Sequence, residues 1–164
     1  MGAGKTTAIG AISEITPITT DVKNNDQSVQ KALTTVGLDY GEVTLSNGDK
    51  VHLYGTPGQK RFDFMWKILA RGALGLIVLI DNSRPEPLAD LAMFITGFKE
   101  LINNTACVVI VGRTEAHASP DLNDFSEHLA SLGVLCPVLA GDVRNADQVL
   151  QALDLLLTLL DNKA

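Results

Sequence analysis

The segment Gly2-Ala3-Gly4-Lys5-Thr6-Thr7, opening straight into a helical pattern, constrains this chain more than any other feature. Ala8, Ile9 and Ile12 share one helical face from Lys5 to about Ile15, and Pro17 ends the run. A Gly-Lys-Thr ahead of a helix is the closing part of a phosphate-binding loop. Its glycines let backbone N–H groups approach phosphate oxygens, Lys5 neutralises the outer phosphates, and the Thr6 hydroxyl can ligate magnesium. The helix N-terminus adds partial positive charge of its own. The expectation is an α/β protein that holds nucleotide phosphates with Gly2 to Thr7.

A length of 164 residues suits one domain, residues 1–164, with a full hydrophobic core. The formal charge of -6 has the wrong sign for a surface that neutralises nucleic-acid phosphates or lies on anionic lipid, so no nucleic acid is expected as a partner. Any bound anion must be held locally. Cys107 and Cys136 lie in apolar runs without metal-ligand spacing, which predicts reduced thiols and a cytoplasmic location. The longest apolar run, Gly72 to Ile80, is about half of the ~20 residues that a membrane span needs. Met1-Gly2 with Thr6 also fits a myristoylation pattern, but those residues serve the phosphate loop. The C-terminal Asp161-Asn162-Lys163-Ala164 holds no prenylation box, and no direct membrane anchor is expected.

Downstream, a polar stretch from Thr19 to Gln30 shows no periodicity. Glu42 to Leu45 and Val51 to Tyr54 flank Ser46-Asn47-Gly48-Asp49, which predicts an antiparallel hairpin. Gly55 to Arg61 reads as loop and Phe62 to Arg71 as a short helix. The unalternated runs Leu74 to Ile80 and Cys107 to Val111 predict parallel strands covered on both faces. Helical stripes run from Leu88 to Ile102 and from Leu122 to Leu132. Val134 to Leu139 predicts an edge strand carrying Pro137. Asn145 with Gln148 resembles a capping box ahead of a final helix. Helices alternating with strands after the hairpin give a three-layer α/β/α sandwich, mostly parallel with one antiparallel hairpin.

The order of these segments resembles the Ras-like small GTPases over essentially the whole chain. Thr34-Thr35-Val36-Gly37-Leu38-Asp39 resembles the first switch of the Rab and Arf groups. Gly55-Thr56-Pro57-Gly58-Gln59-Lys60-Arg61-Phe62 resembles the second switch, and its Pro-Gly-Gln is similar to that of the bacterial gliding-motility GTPase and related prokaryotic small GTPases. By that resemblance Thr35 is a magnesium ligand that senses the third phosphate, the Gly58 N–H binds that phosphate, Gln59 orients the attacking water, and Lys5 shares in catalysis. GTP or GDP with Mg2+ is the implied ligand. The family implies a roadblock-type regulatory protein as a partner. Phe62 and Trp66, four residues apart, could anchor a regulator or pack on the sheet.

Several positions depart from the family. Gly55 stands where an Asp that supports magnesium through water is usual. Gly112-Arg113-Thr114-Glu115 replaces the Asn-Lys-x-Asp that reads guanine, with Arg113 as the stacking stem and Glu115 as the carboxylate. Asp142-Val143-Arg144 falls where backbone contacts the base. The first glycine of the phosphate loop, and the strand carrying it, would lie upstream of Met1. The expectation is therefore a Ras-like G domain lacking its first strand, with unpaired edges that could bring copies together.

Three functions remain open on the residues. The first is a guanine-nucleotide switch that hydrolyses GTP slowly. The second is a magnesium-dependent ATP-binding protein in which Asp81, following Leu76 to Ile80, is the Walker B carboxylate. The third is a degenerate domain acting as a non-enzymatic interaction module.

Overall fold

The computed structural model describes residues 4–23, 35–58 and 63–163. The chain runs α1 (Lys5–Ile12), β1 (Ile18–Lys23), β2 (Thr35–Thr44), β3 (Lys50–Gly55), α2 (Asp63–Ala70) and β4 (Gly75–Asp81). It continues through α3 (Pro87–Gly97), α4 (Lys99–Asn104), β5 (Ala106–Gly112), α5 (Leu122–Ser131), β6 (Val138–Ala140) and α6 (Ala146–Asp161). The α/β class is as the alternating pattern indicated.

The strands form two three-stranded sheets, in the order β1-β2-β3 and β4-β5-β6. The first is antiparallel throughout and the second parallel. Asn47-Gly48 makes the β2–β3 hairpin as expected, with Gly48 at φ 89° and the Asn47 Oδ1 accepting from the Asp49 N–H at 3.0 Å. The strand β1 lies in the stretch read as aperiodic. Its strand form comes from cross-strand pairing with β2, Ile18 opposite Tyr40 through Lys23 opposite Thr35, not from an apolar alternation. Among the described residues β3 pairs only with β2 and β4 only with β5, which leaves an open edge on each.

The unbroken apolar run of β5 is explained by a core on either face. Cys107, Val109 and Val111 meet Trp66, Leu91, Ile95 and Phe125 on the side of α2, α3 and α5. Ala106, Val108 and Ile110 meet Ala152 and Leu156 of α6 on the other. The helical stripe from Leu88 to Ile102 breaks at Phe98, where the chain caps α3 and opens α4. The α1 helix ends at Ile12, short of Ile15, because Ser13 turns to an extended backbone and its hydroxyl bonds Ile15.

Trp66 is 1 % exposed, stacks on Phe98 at 5.2 Å between ring centroids, and donates Nε1–H to the Pro57 carbonyl at 2.7 Å. It belongs to the core and is not a surface anchor for a regulator; Phe62 lies outside the described residues. The α5 helix opens on a reciprocal box between Asp121 and Asp124. At α6 the Asn145 side chain caps Asp147 and Gln148, but Gln148 Oε1 accepts from the Asp142 N–H at 2.7 Å instead of returning the bond. That places Gln148 under the loop after β6.

Candidate nucleotide site

Gly4 caps α1 at φ 87° with no side-chain cap hydrogen bond, the kind of helix start that can take an anion. The left-handed backbone at Gly4 excludes other residues twice over, since a Cβ there would also lie 2.6 Å from Val143 Cγ2. Val143 thus packs the loop after β6 onto the phosphate loop. Lys5 Nζ reaches to 3.1 Å from where a Cβ on Gly58 would stand, which brings Lys5 beside the Gly55–Gly58 segment. Burial pulls the Lys5 ammonium below its ordinary pKa, and the nearby charge of Asp39 pulls it partly back.

Asp39 is the residue the sequence did not single out. It is 7 % exposed, accepts from Thr6 Oγ1 at 2.5 Å on Oδ2, and accepts from Thr19 Oγ1 at 2.9 Å on Oδ1. In the β2–β3 register it stands opposite Gly55. A Cβ on Gly55 would meet Asp39 Cβ at 3.0 Å and Oδ2 at 3.2 Å, so the carboxylate fills the space that the glycine leaves. Gly55 carries no carboxylate of its own, and Asp39, one strand over, places one in the adjoining space. An Asp inside a strand, with a glycine in the next strand where the resembled family usually has an Asp, was the available signal.

The Thr6 hydrogen points at Asp39, which leaves the hydroxyl oxygen free to accept a cation. A buried carboxylate and a hydroxyl oxygen are the oxygen donors that suit magnesium, and the Lys5 ammonium suits the phosphates that such an ion would accompany. Thr35 opens β2 opposite Lys23. Gly2, Ala3 and Gln59 lie outside the described residues.

A cleft of roughly 860 Å³ runs from Gly4 and Thr7 to Arg113, Glu115 and the Asp142–Arg144 loop. Its size suits a small-molecule ligand. Arg113 holds a left-handed backbone, φ 62°, uncommon for a side-chain-bearing residue. Its Nε lies 3.5 Å from Asp81 Oδ1. Glu115 is exposed on the turn that follows. Arg144 binds its neighbour Asp142, with Nη2 2.6 Å from Oδ2, and those hydrogen bonds hold the Asp142 carboxyl down at about 2. Val143 meets the site through its side chain on Gly4, rather than through the backbone alone.

Asp81, the alternative Walker B residue, is otherwise engaged. Its Oδ1 accepts from the Ser83 N–H at 2.9 Å and the Ser83 hydroxyl at 2.5 Å, besides facing Arg113. Burial pushes its pKa up, but these partners outweigh that and hold it below the ordinary carboxylate range. Thr6 bonds Asp39, not Asp81.

The sequence profile of a family described as conserved hypothetical ATP binding protein matches residues 1–158. The chain belongs to that family. It is also 29 % identical over 136 residues to the Ras-related protein SEC4 of Saccharomyces cerevisiae, covering 80 % of this chain and 62 % of the relative. It is 30 % identical over 91 residues to the Ras-related protein Rab-3 of Caenorhabditis elegans, covering 54 % and 42 %. An uncharacterized protein of Methanocaldococcus jannaschii shares 43 % identity over 50 residues, covering 30 % and 32 %. The chain spans between about a third and three fifths of the length of these relatives. Family and relatives together support a nucleotide-binding, P-loop GTPase-like protein. No helix among the described residues is long and apolar enough to cross a membrane.

Proposed function

We propose that this chain is a single-domain guanine-nucleotide switch of the cytoplasm that hydrolyses GTP slowly, with Lys5 and Gln59 in the catalytic roles. The observation that carries the reading is the convergence of Lys5, Thr6 and Asp39 beside Gly4 and Thr7, which line one end of a cleft whose other end holds Arg113 and Glu115. Thr6 and Thr35 would hold magnesium directly, and Asp39 would support it through water. The ion supplies charge neutralisation at the outer phosphates. Lys5 and the α1 N-terminus bind those phosphates, Gly58 closes on the third, and Gln59 orients water. Glu115 accepts from the guanine edge, while Arg113 flanks the base. A roadblock-type protein is the proposed regulator.

The printed name of the family favours a second reading, ATP binding. The engagement of Asp81 with Ser83 and Arg113 speaks against it as a metal ligand, and a base carboxylate at Glu115 speaks for guanine. Titration of GTP, GDP and ATP with magnesium, on this chain and on a version extended upstream by a strand's length, separates the readings. A strand seated between the open edges of β3 and β4 would join the sheets and tighten binding. The same edges could join two copies, which sedimentation would detect. GTP and GDP preference supports the switch, ATP preference the second reading, and binding by neither form a non-enzymatic module. Gln59→Leu should slow single-turnover hydrolysis with little change in affinity; an unchanged rate removes Gln59 from that role.

A further inference from the structure

The guanine reading assigns the base to Arg113 and Glu115 but leaves open what holds their loop, and the end of β4 supplies an answer. Asn82 follows β4 directly and is 3 % exposed. Its Nδ2 donates to the His117 carbonyl at 2.6 Å and to the Pro120 carbonyl at 3.0 Å. Its backbone N–H donates to Gly112 O at 3.1 Å. The two carbonyls fix which end of the amide is nitrogen, because the oxygen turned toward them would meet two acceptors. Asn82 Oδ1 is buried without a partner among the described residues, so the orientation is held for the sake of its donors.

The segment between these contacts is the base loop. The His117 N–H bonds back to the Arg113 carbonyl at 3.0 Å, closing a turn with Glu115 inside it. At the near end of the turn, Asp81 faces Arg113. At the far end, Asn82 grips His117. Two consecutive residues of one strand end therefore clamp both ends of an exposed turn whose middle carries the reading carboxylate.

We infer that Asn82 is a positioning residue for base selectivity: its amide latches the 113–117 turn so that Glu115 meets the base edge in one fixed orientation. This rests on the proposed role of Glu115. Asn82 touches neither phosphate nor base, and it acts on the discrimination between bases rather than on phosphate binding. Such an effect is expected when a buried donor pair sets the aim of a loop.

The test uses the full chain with magnesium and three probes: GDP, ADP and inorganic tripolyphosphate. Asn82→Asp keeps the shape but sets an acceptor against two carbonyls, and Asn82→Ala removes the latch without adding repulsion. Both should lose about tenfold of the GDP-over-ADP preference, the worth of one well-placed charged hydrogen bond. Tripolyphosphate affinity should stay unchanged, which a general loss of folding would not allow. Amide exchange at His117 should also quicken in both nucleotide-free variants. If preference and exchange match the wild type, the latch is overturned. If the wild type itself prefers neither nucleotide, the guanine reading of Glu115 fails and exchange alone decides: faster exchange supports the latch on the turn, unchanged exchange overturns it.

Discussion

Beside the Gly4 and Thr7 end of the cleft, the proposed phosphate end, polar groups from three distant elements come together: Thr6 of α1 and Thr19 of β1 both bond Asp39 of β2, which is buried. At the base end, Arg113, Glu115 and Arg144 are exposed, and the Asp142–Arg144 pair joins residues two apart. Long-range buried contacts fix geometry before a ligand arrives. Local exposed ones need the loop beneath them to be held. Phosphate affinity should therefore depend on single residues, while base selectivity should depend on the loop's support.

Substitutions can break this contrast, and the largest effect is expected from Lys5→Ala. Losing a charged hydrogen bond of about 3 kcal/mol should weaken GDP and tripolyphosphate alike by about 100-fold, as read by calorimetry. Equal affinities in the two forms would remove the phosphate loop from binding.

Next in size is Asp39→Asn, which keeps the shape but removes the charge near Lys5. Magnesium-dependent affinity should drop by about 10- to 100-fold, the range for groups that support a metal through its ligands. Affinity in chelator should change little. A similar loss in chelator would make Asp39 a folding residue instead.

Glu115→Ala should cost GDP about tenfold and leave tripolyphosphate untouched. A parallel loss for both probes would dissolve the distinction between the two ends.

The smallest effect concerns Arg144→Ala. The folded pKa of Asp142, about 2, is below its ordinary 3.8, so this pair contributes stability above the ordinary value and loses it as pH falls through about 2. Because both groups are exposed, the unfolding midpoint at neutral pH should barely move. Carboxyl chemical shifts followed against pH should show Asp142 returning toward its ordinary value.

The sequence carried the α/β class, the hairpin at Asn47-Gly48 and the parallel strands, because each follows from local spacing of apolar and turn residues. It also proposed Lys5, Thr6, Gly58, Arg113 and Glu115 as site residues through motif order. It could not show β1, whose residues become a strand only by pairing with β2. Nor could it show that Trp66 faces inward, since helical spacing places Phe62 and Trp66 on one face without saying what that face meets.

The phosphate-loop reading came from the sequence alone, because backbone N–H groups, a lysine and a hydroxyl at fixed spacing need only a helix start to converge. The place of the Asp39 carboxylate beside Gly55 was decided by tertiary structure. Asp39 and Gly55 are 16 residues apart and meet only through the β2–β3 register, so a carboxylate absent at Gly55 stands beside it across the sheet. The base loop is a similar case. Its proposed reading residues are written in order, but their turn is tied to Asn82, 35 residues from the His117 carbonyl it holds.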